Sequence, residues 1–144
     1  MVVVDASVAV KWFVPEENWP VARSLLALDL ALVAPDILAM ETMSALLRKH
    51  RRREVADGLP GQALGVLAAL RVEAVPHGPL LREASALSLR CRHAVCDCCY
   101  LLVAQRRGLP LATFDRRLAA LAESLSIPLW SLPPCTPDRV QDPP

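Results

Sequence analysis

The sequence predicts an α/β fold with a parallel central sheet and a surplus of helix. Two observations carry this. Short apolar, β-branched runs alternate with segments of helical spacing, the pattern of parallel strands joined through helices. The first run, Val2–Val4, is apolar throughout and ends at Asp5, which is how a strand buried on both faces reads. Extra helices after Asp36 make the chain helix-rich.

The elements follow in order. A short helix is predicted over residues 7–13, stopped by Pro15. Asn18 offers an N-cap for the next helix, with Pro20 in its first turn and Val21, Leu25 and Leu28 as its apolar stripe. Residues 31–34 are a second short strand. Asp36 is the predicted cap of a strong helix running to about Arg48. A helix covers about 59–70 after a turn at 54–57, and residues 73–75 form a third strand. Pro79 opens a helix to about Arg90. Another spans Val95–Arg107 and stops at Gly108, an ordinary C-terminal signal. Residues 111–113 are a strand, Asp115 starts a helix to Leu125, and residues 128–131 are a last strand. Residues 1–132 read as one domain. Segment 133–144 holds five of the thirteen prolines and reads as an extended or mobile tail.

Composition narrows the class. The 144 residues include 16 basic and 15 acidic side chains, a formal +1. That balance excludes a polycationic tail and an acidic disordered chain. Hydrophobic residues make up 53%, as in a globular domain. With two Phe, three Trp and one Tyr, the core is built from Leu, Val and Ala, and base-stacking platforms are few. The longest uncharged stretch, 124–137, contains four prolines, so nothing approaches the roughly 18 apolar residues of a membrane span. The start lacks a basic region and meets Asp5, so it reads as a strand, not a signal peptide. Five cysteines without a secretory signal point to a reducing cytoplasm. Cys91, Cys96, Cys98 and Cys99 lack the usual C-x2-C zinc knuckle, and packing as small apolar thiols is favoured.

The informative residues are acids in apolar surroundings. Asp5 and Asp115 each follow a strand. Glu41 has Ile37, Leu38, Ser44 and Ala45 as its helical neighbours, an apolar and small-residue stripe. Asp97 precedes seven apolar residues. Singly, each acid has a plain explanation: helix caps for Asp5, Asp97 and Asp115, an arginine partner for Glu41. Together they point elsewhere. Parallel strands share one carboxyl edge, and carboxylates gathered there repel one another and raise their own pKa values. Divalent cations resolve that repulsion, and an all-oxygen donor set suits Mg²⁺ or Mn²⁺.

The series Val-Val-Val-Asp5-Ala-Ser7, Asp36-Ile-Leu-Ala-Met-Glu41, Asp97-Cys-Cys-Tyr-Leu-Leu-Val-Ala104 and Thr113-Phe-Asp115-Arg-Arg-Leu118 resembles the PIN-domain ribonucleases, above all the VapC-type toxins of bacterial toxin–antitoxin pairs. The resemblance covers about residues 1–130. It implies a PIN-like three-layer sandwich with a short, mainly parallel sheet flanked by helices. It implies a Mg²⁺- or Mn²⁺-dependent endoribonuclease leaving 5′-phosphate and 3′-hydroxyl ends. Asp5, Glu41, Asp97 and Asp115 match the family's acidic quartet, with Asp5 and Asp97 on the metal and Glu41 and Asp115 reaching it directly or through water. Ser7 and Thr113 match small hydroxyl positions that orient those ligands. The resemblance further implies an RNA substrate of the tRNA or rRNA class, a cognate antitoxin that enters the active-site groove, and a homodimer. The cysteines around Asp97 depart from the family's usual apolar or aromatic residues.

Arg48-Lys-His-Arg-Arg-Arg53 is the densest basic run. Cations complement a helix C-terminus, but six in a row exceed that need. Arg48, Lys49, Arg51, Arg52 and Arg53, with Arg116, are the predicted contacts to RNA phosphates. His93 reads as structural, and Trp12 and Phe13 as core or dimer contacts. Two rivals stand beside this reading. One is a phosphatase with Asp5 as nucleophile, weakened by Ser7 where that chemistry places a second Asp. The other is a catalytically silent RNA- or partner-binding module, which predicts a lost acid, whereas all four are present. Setting those four aside leaves 11 acids against 16 basic residues, so a near-neutral sum is compatible with a positive surface around an acidic pocket.

Overall fold

The computed structural model describes residues 1–131. Four strands, β1 (Val2–Val4), β2 (Leu32–Pro35), β3 (Val72–Val75) and β4 (Leu111–Ala112), form one sheet in the order β3-β2-β1-β4. All pairings are parallel, with Val2 opposite Leu32 and Val3 opposite Leu111. The three β1 valines are fully buried, which explains their unbroken apolar run. The chain steps from β1 to β3 in one direction and returns to the other side of β1 for β4. The switch point therefore lies between β1 and β4, where open α/β sheets bind ligands at their carboxyl ends.

Seven helices complete the described residues: α1 (Ala6–Lys11), α2 (Trp19–Leu26), α3 (Leu38–Arg51), α4 (Leu59–Ala69), α5 (Leu81–Cys91), α6 (Val95–Arg107) and α7 (Arg116–Ser124). Helix α6 packs on β1, β2 and β4 and carries seven consecutive buried residues from Cys98 to Ala104. A helix that is apolar all round belongs inside the molecule. Gly108 takes φ 61 at its end, a left-handed cap that strains residues with a Cβ. A second apolar cluster of Val10, Val14, Leu46 and Ala63 joins α1, α3 and α4. It fixes α1 against α3, and those two helices form one wall of the site.

Several expectations are corrected. Asn18 precedes α2 but its side chain makes no capping bond. It sits at φ 66, and Pro20 removes one of the N–H groups that a cap serves. Helix α2 ends at Leu26, so Leu28 falls outside the stripe and is exposed. Asp36 does not cap α3: Oδ1 accepts instead from the His77 backbone N–H at 3.0 Å and lies 2.6 Å from His77 Nδ1. Helix α3 runs on to Arg51, helped by cations over its last carbonyls. A 3₁₀ turn, Gly78–Leu80, comes before α5. Residues 128–131 form no strand, and Leu129 makes a single parallel bridge to Leu111. The proline-rich segment 133–144, predicted as a tail, lies outside the described residues.

Trp12 is buried, and its indole N–H donates to the Ala22 carbonyl at 3.0 Å. Cys98 and Cys99 are buried in the core, where burial pushes both thiols up to about 11. Both pack among apolar side chains of the main core, as small apolar residues do.

Candidate active site

A cavity of about 430 Å³ opens at the switch point. It gathers Asp5 from the end of β1, Glu41 from α3, Asp97 from α6 and Asp115 from the start of α7. All four acids singled out in the sequence therefore face one space. The helical period explains the wall contributed by α3: Glu41, Ala45 and Arg48 fall at i, i+4 and i+7 and all line the cavity.

Asp5 is the deepest, at 4% exposure. Its Oδ1 accepts from the Ser7 hydroxyl at 2.6 Å and from the Val8 N–H at 3.1 Å, so it does cap α1. Its Oδ2 accepts from the Thr113 hydroxyl at 2.6 Å. The same hydroxyls tie the start of α1 to the segment after β4 and shape that segment. Ser7 Oγ accepts from the Phe114 N–H at 2.8 Å, and Thr113 Oγ1 from the Asp115 N–H at 3.0 Å. Burial still dominates over these bonds and pushes the Asp5 carboxyl up to about 6.

Glu41 Oε2 accepts from the Tyr100 hydroxyl at 2.7 Å. Burial holds its carboxyl above the usual range, Tyr100 opposes that, and the Asp97 charge adds to it. Asp97 lies in the first turn of α6 but does not cap it. His93 Nδ1 stands 2.9 Å from Asp97 Oδ2. The contact is close but poorly aligned, and neither buried ring nitrogen has a hydrogen-bond partner among the described residues. Burial raises the Asp97 carboxyl, His93 opposes the rise, and the Asp115 charge adds to it. Asp115 caps α7, its Oδ1 accepting from the N–H groups of Arg117 at 2.7 Å and Leu118 at 3.0 Å. Capping and site membership coexist, so the cap readings of Asp5 and Asp115 do not compete with a functional one.

The donor set fits a hard divalent cation. Three carboxylates are raised above their ordinary range, partly by one another, and a cation between them would relieve both burial and repulsion. The fit is one of chemistry, not of a finished cage. Among the described residues no three His, Cys, Asp or Glu side chains are grouped to hold a metal ion. Each acid instead accepts from, or contacts, a group of the protein itself.

The basic residues divide. Arg48 lines the cavity. Lys49 does not reach into it: its ammonium lies 2.6 Å from Glu16 and 3.5 Å from Glu54. Arg51 and Arg53 line a second hollow with His50, and Arg52 and Arg116 are exposed. Four polar or aromatic residues that line the main cavity were not singled out in the sequence: Lys11, Glu16, Tyr100 and Phe114. Spacing was the available signal for two of them. Lys11 is i+4 from Ser7 and Tyr100 is i+3 from Asp97 on their helices.

Comparison with known proteins agrees with this architecture. The PIN-domain family model matches residues 2–124. Ribonuclease VapC3 of Pyrobaculum aerophilum is 31% identical over 131 residues, spanning 88% of this chain and 98% of that protein. The crystal structure of the Mycobacterium tuberculosis toxin VapC20, which cleaves the sarcin-ricin loop, has a TM-score of 0.71 at 16% identity. That match covers 84% of this chain and 95% of VapC20, and at such identity it speaks for the fold. PAE2754 from Pyrobaculum aerophilum has a TM-score of 0.58 at 27% identity, covering 82% of this chain and 76% of its own. The chain belongs to the PIN-domain family, and within it to the VapC type. Its fold is the α/β sandwich of that family.

Proposed function

We propose that the protein is a metal-dependent endoribonuclease, the toxin of a type II toxin–antitoxin pair. The observation that carries this is the convergence of Asp5, Glu41, Asp97 and Asp115, from four separate elements, on one cavity at the sheet's switch point. Likeness to a curated ribonuclease along nearly its whole length supports RNA as the substrate. Asp5 and Asp97 hold Mg²⁺ or Mn²⁺, with Glu41 and Asp115 joining directly or through water. The bound cation supplies the charge that acidifies water and stabilises a phosphodiester as it is cut. Ser7 and Thr113 lock the Asp5 carboxylate, Tyr100 holds Glu41, and His93 faces Asp97.

The test is incubation of labelled tRNA and rRNA with Mg²⁺ or Mn²⁺, with EDTA, and with Asp97→Asn. Cleavage by the wild type that EDTA and Asp97→Asn both stop is expected. Cleavage that survives chelation would overturn the mechanism. A second reading, a silent RNA- or partner-binding module, draws on the absence of a finished metal cage among the described residues. RNA binding without any cleavage would decide for it. The hydrogen bonds that fill both oxygens of Asp5 leave a phosphatase nucleophile without support.

The basic end of α3 supplies the RNA track. Arg48 sits at the cavity, and Arg51 lies roughly 4.5 Å further along the helix axis. Replacing Arg51, Arg52 and Arg53 together with Ala is expected to flatten the salt dependence of single-strand RNA affinity by about 2 in log–log slope. An unchanged slope would remove these residues from the interface. A homodimer and a cognate antitoxin complete the proposal. Met40 at 62% exposure, with Leu47, Leu64 and Val66, supports a protein partner on α3 and α4. No helix among the described residues is long and apolar enough to cross a membrane.

A further inference from the structure

The chain contains only two lysines, Lys11 and Lys49, against fourteen arginines, and both ammonium groups converge on one carboxylate, Glu16. Glu16 Oε1 accepts from Lys11 at 2.8 Å and Oε2 from Lys49 at 2.6 Å. Glu16 lines the cavity with its charge already matched by two ammonium groups. Lys11 is the last residue of α1, one helical turn after Ser7, and its side chain is 13% exposed. Its ammonium also stands 5.4 Å from the centroid of the Phe114 ring, over the ring face. Two contacts thus hold a side chain that is otherwise flexible.

An ammonium has three donors. One goes to Glu16, and the described residues offer Lys11 no second acceptor. The others remain available at a cavity in which, among the described residues, Lys11 and Arg48 are the only cationic side chains. An RNA phosphate entering there meets mostly carboxylates. Cations on the acids would cancel their charge, yet the phosphate's outward oxygens still need donors from the protein. A compact point charge anchored in advance suits that task.

We propose that Lys11, held by Glu16 against Phe114, donates a hydrogen bond to a non-bridging oxygen of the RNA phosphate being cut. This rests on the endoribonuclease reading above. The competing account is mechanical: Lys11–Glu16–Lys49 is a staple that ties α1 to α3 and never meets RNA.

The experiment compares single-turnover cleavage of single-stranded RNA by the wild type, Lys11→Met, Lys11→Arg and Glu16→Gln in Mg²⁺ at several salt concentrations. Wild-type cleavage that EDTA abolishes must come first; its absence removes the endoribonuclease reading, and the role of Lys11 with it. Given that activity, Lys11→Met is expected to cut about 100-fold more slowly. The log–log salt slope of its kcat/KM is expected to flatten by about 0.7, one phosphate contact on a single strand. Lys11→Arg recovers part of the rate, and Glu16→Gln, which breaks the staple but keeps the ammonium, retains the wild-type slope. Lys11→Met with wild-type slope, or with the same defect as Glu16→Gln, would overturn the proposal in favour of the staple. A second readout needs no variant: acetylation of the two lysines of the wild type, followed by mass spectrometry, with and without excess RNA oligonucleotide in Ca²⁺. Protection of Lys11 but not Lys49 supports the contact, and equal labelling with and without RNA refutes it.

Discussion

Asp5→Asn is expected to lower RNA cleavage by on the order of 10³-fold or more, beyond the 10- to 100-fold typical of a residue that only orients a ligand. The same substitution is expected to make the metal-free protein more stable at neutral pH. The Asp5 carboxyl is pushed up to about 6 from an ordinary 3.8 because it is buried. The folded state therefore holds this proton more tightly than the unfolded chain. Stability from this group is present below about pH 4, is lost as pH rises to about 6, and stays lost above. A shift of about two units corresponds to roughly 3 kcal/mol as an upper bound. Asn cannot ionise, so it avoids that loss. Its Oδ1 can keep the bonds from Ser7 and Val8, and its amide can face the Thr113 hydroxyl. Thermal melts in EDTA should show the variant above the wild type by roughly 5 °C at pH 7.5 and level with it near pH 4. A variant less stable than the wild type across that range would show that Asp5 is structural in the ordinary sense.

Mg²⁺ or Mn²⁺ should reverse that order. A ligand at a hundred times its dissociation constant stabilises the state it binds by about 2.7 kcal/mol. For a domain of this size the melting temperature should rise by roughly 5–10 °C at pH 7.5. The ion competes with protons for Asp5, Glu41 and Asp97, all raised above their usual range. At pH 5, one unit below the Asp5 value, affinity should be about tenfold weaker for that proton alone, removing about 1.4 kcal/mol of the gain. Asp97→Asn should show little rise at either pH. Calorimetric titration of the metal, which needs no RNA, checks the same point. A wild type that millimolar Mg²⁺ and Mn²⁺ leave unmoved would argue that the four acids do not form a metal centre.

Much of the fold was legible because local chemistry and tertiary role coincide. Val2–Val4 is apolar on both faces because both faces are covered, and Val95–Arg107 was bounded correctly because Gly108 stops it. The misreadings fall where a distant partner outbids a local one. Asp36 looks like a cap in sequence, yet its carboxylate goes to His77, 41 residues away. Residues 128–131 look like a strand, yet only Leu129 finds a neighbour. Nor does the run Arg48–Arg53 show in sequence that the Lys49 ammonium meets Glu16 and Glu54.

The site divides in the same way. Asp5, Glu41, Asp97 and Asp115 stand out in sequence because an acid beside apolar residues is costly without a partner. That cost is a one-dimensional signal. Lys11, Glu16, Tyr100 and Phe114 carry no such signal, since a Lys near a helix end or a Tyr in an apolar helix is ordinary. Strand–helix alternation, the buried first strand and four acids in apolar surroundings are all written in the residue order. That those acids share one cavity, that the hydroxyls of Ser7 and Thr113 lock Asp5, and that both lysines meet at Glu16 emerges only once the chain is packed. The reason is that hydrophobic burial and helical period are written in neighbouring residues. Polar contacts at the sheet's switch point depend on side chains up to 108 positions apart, brought together by the packing alone.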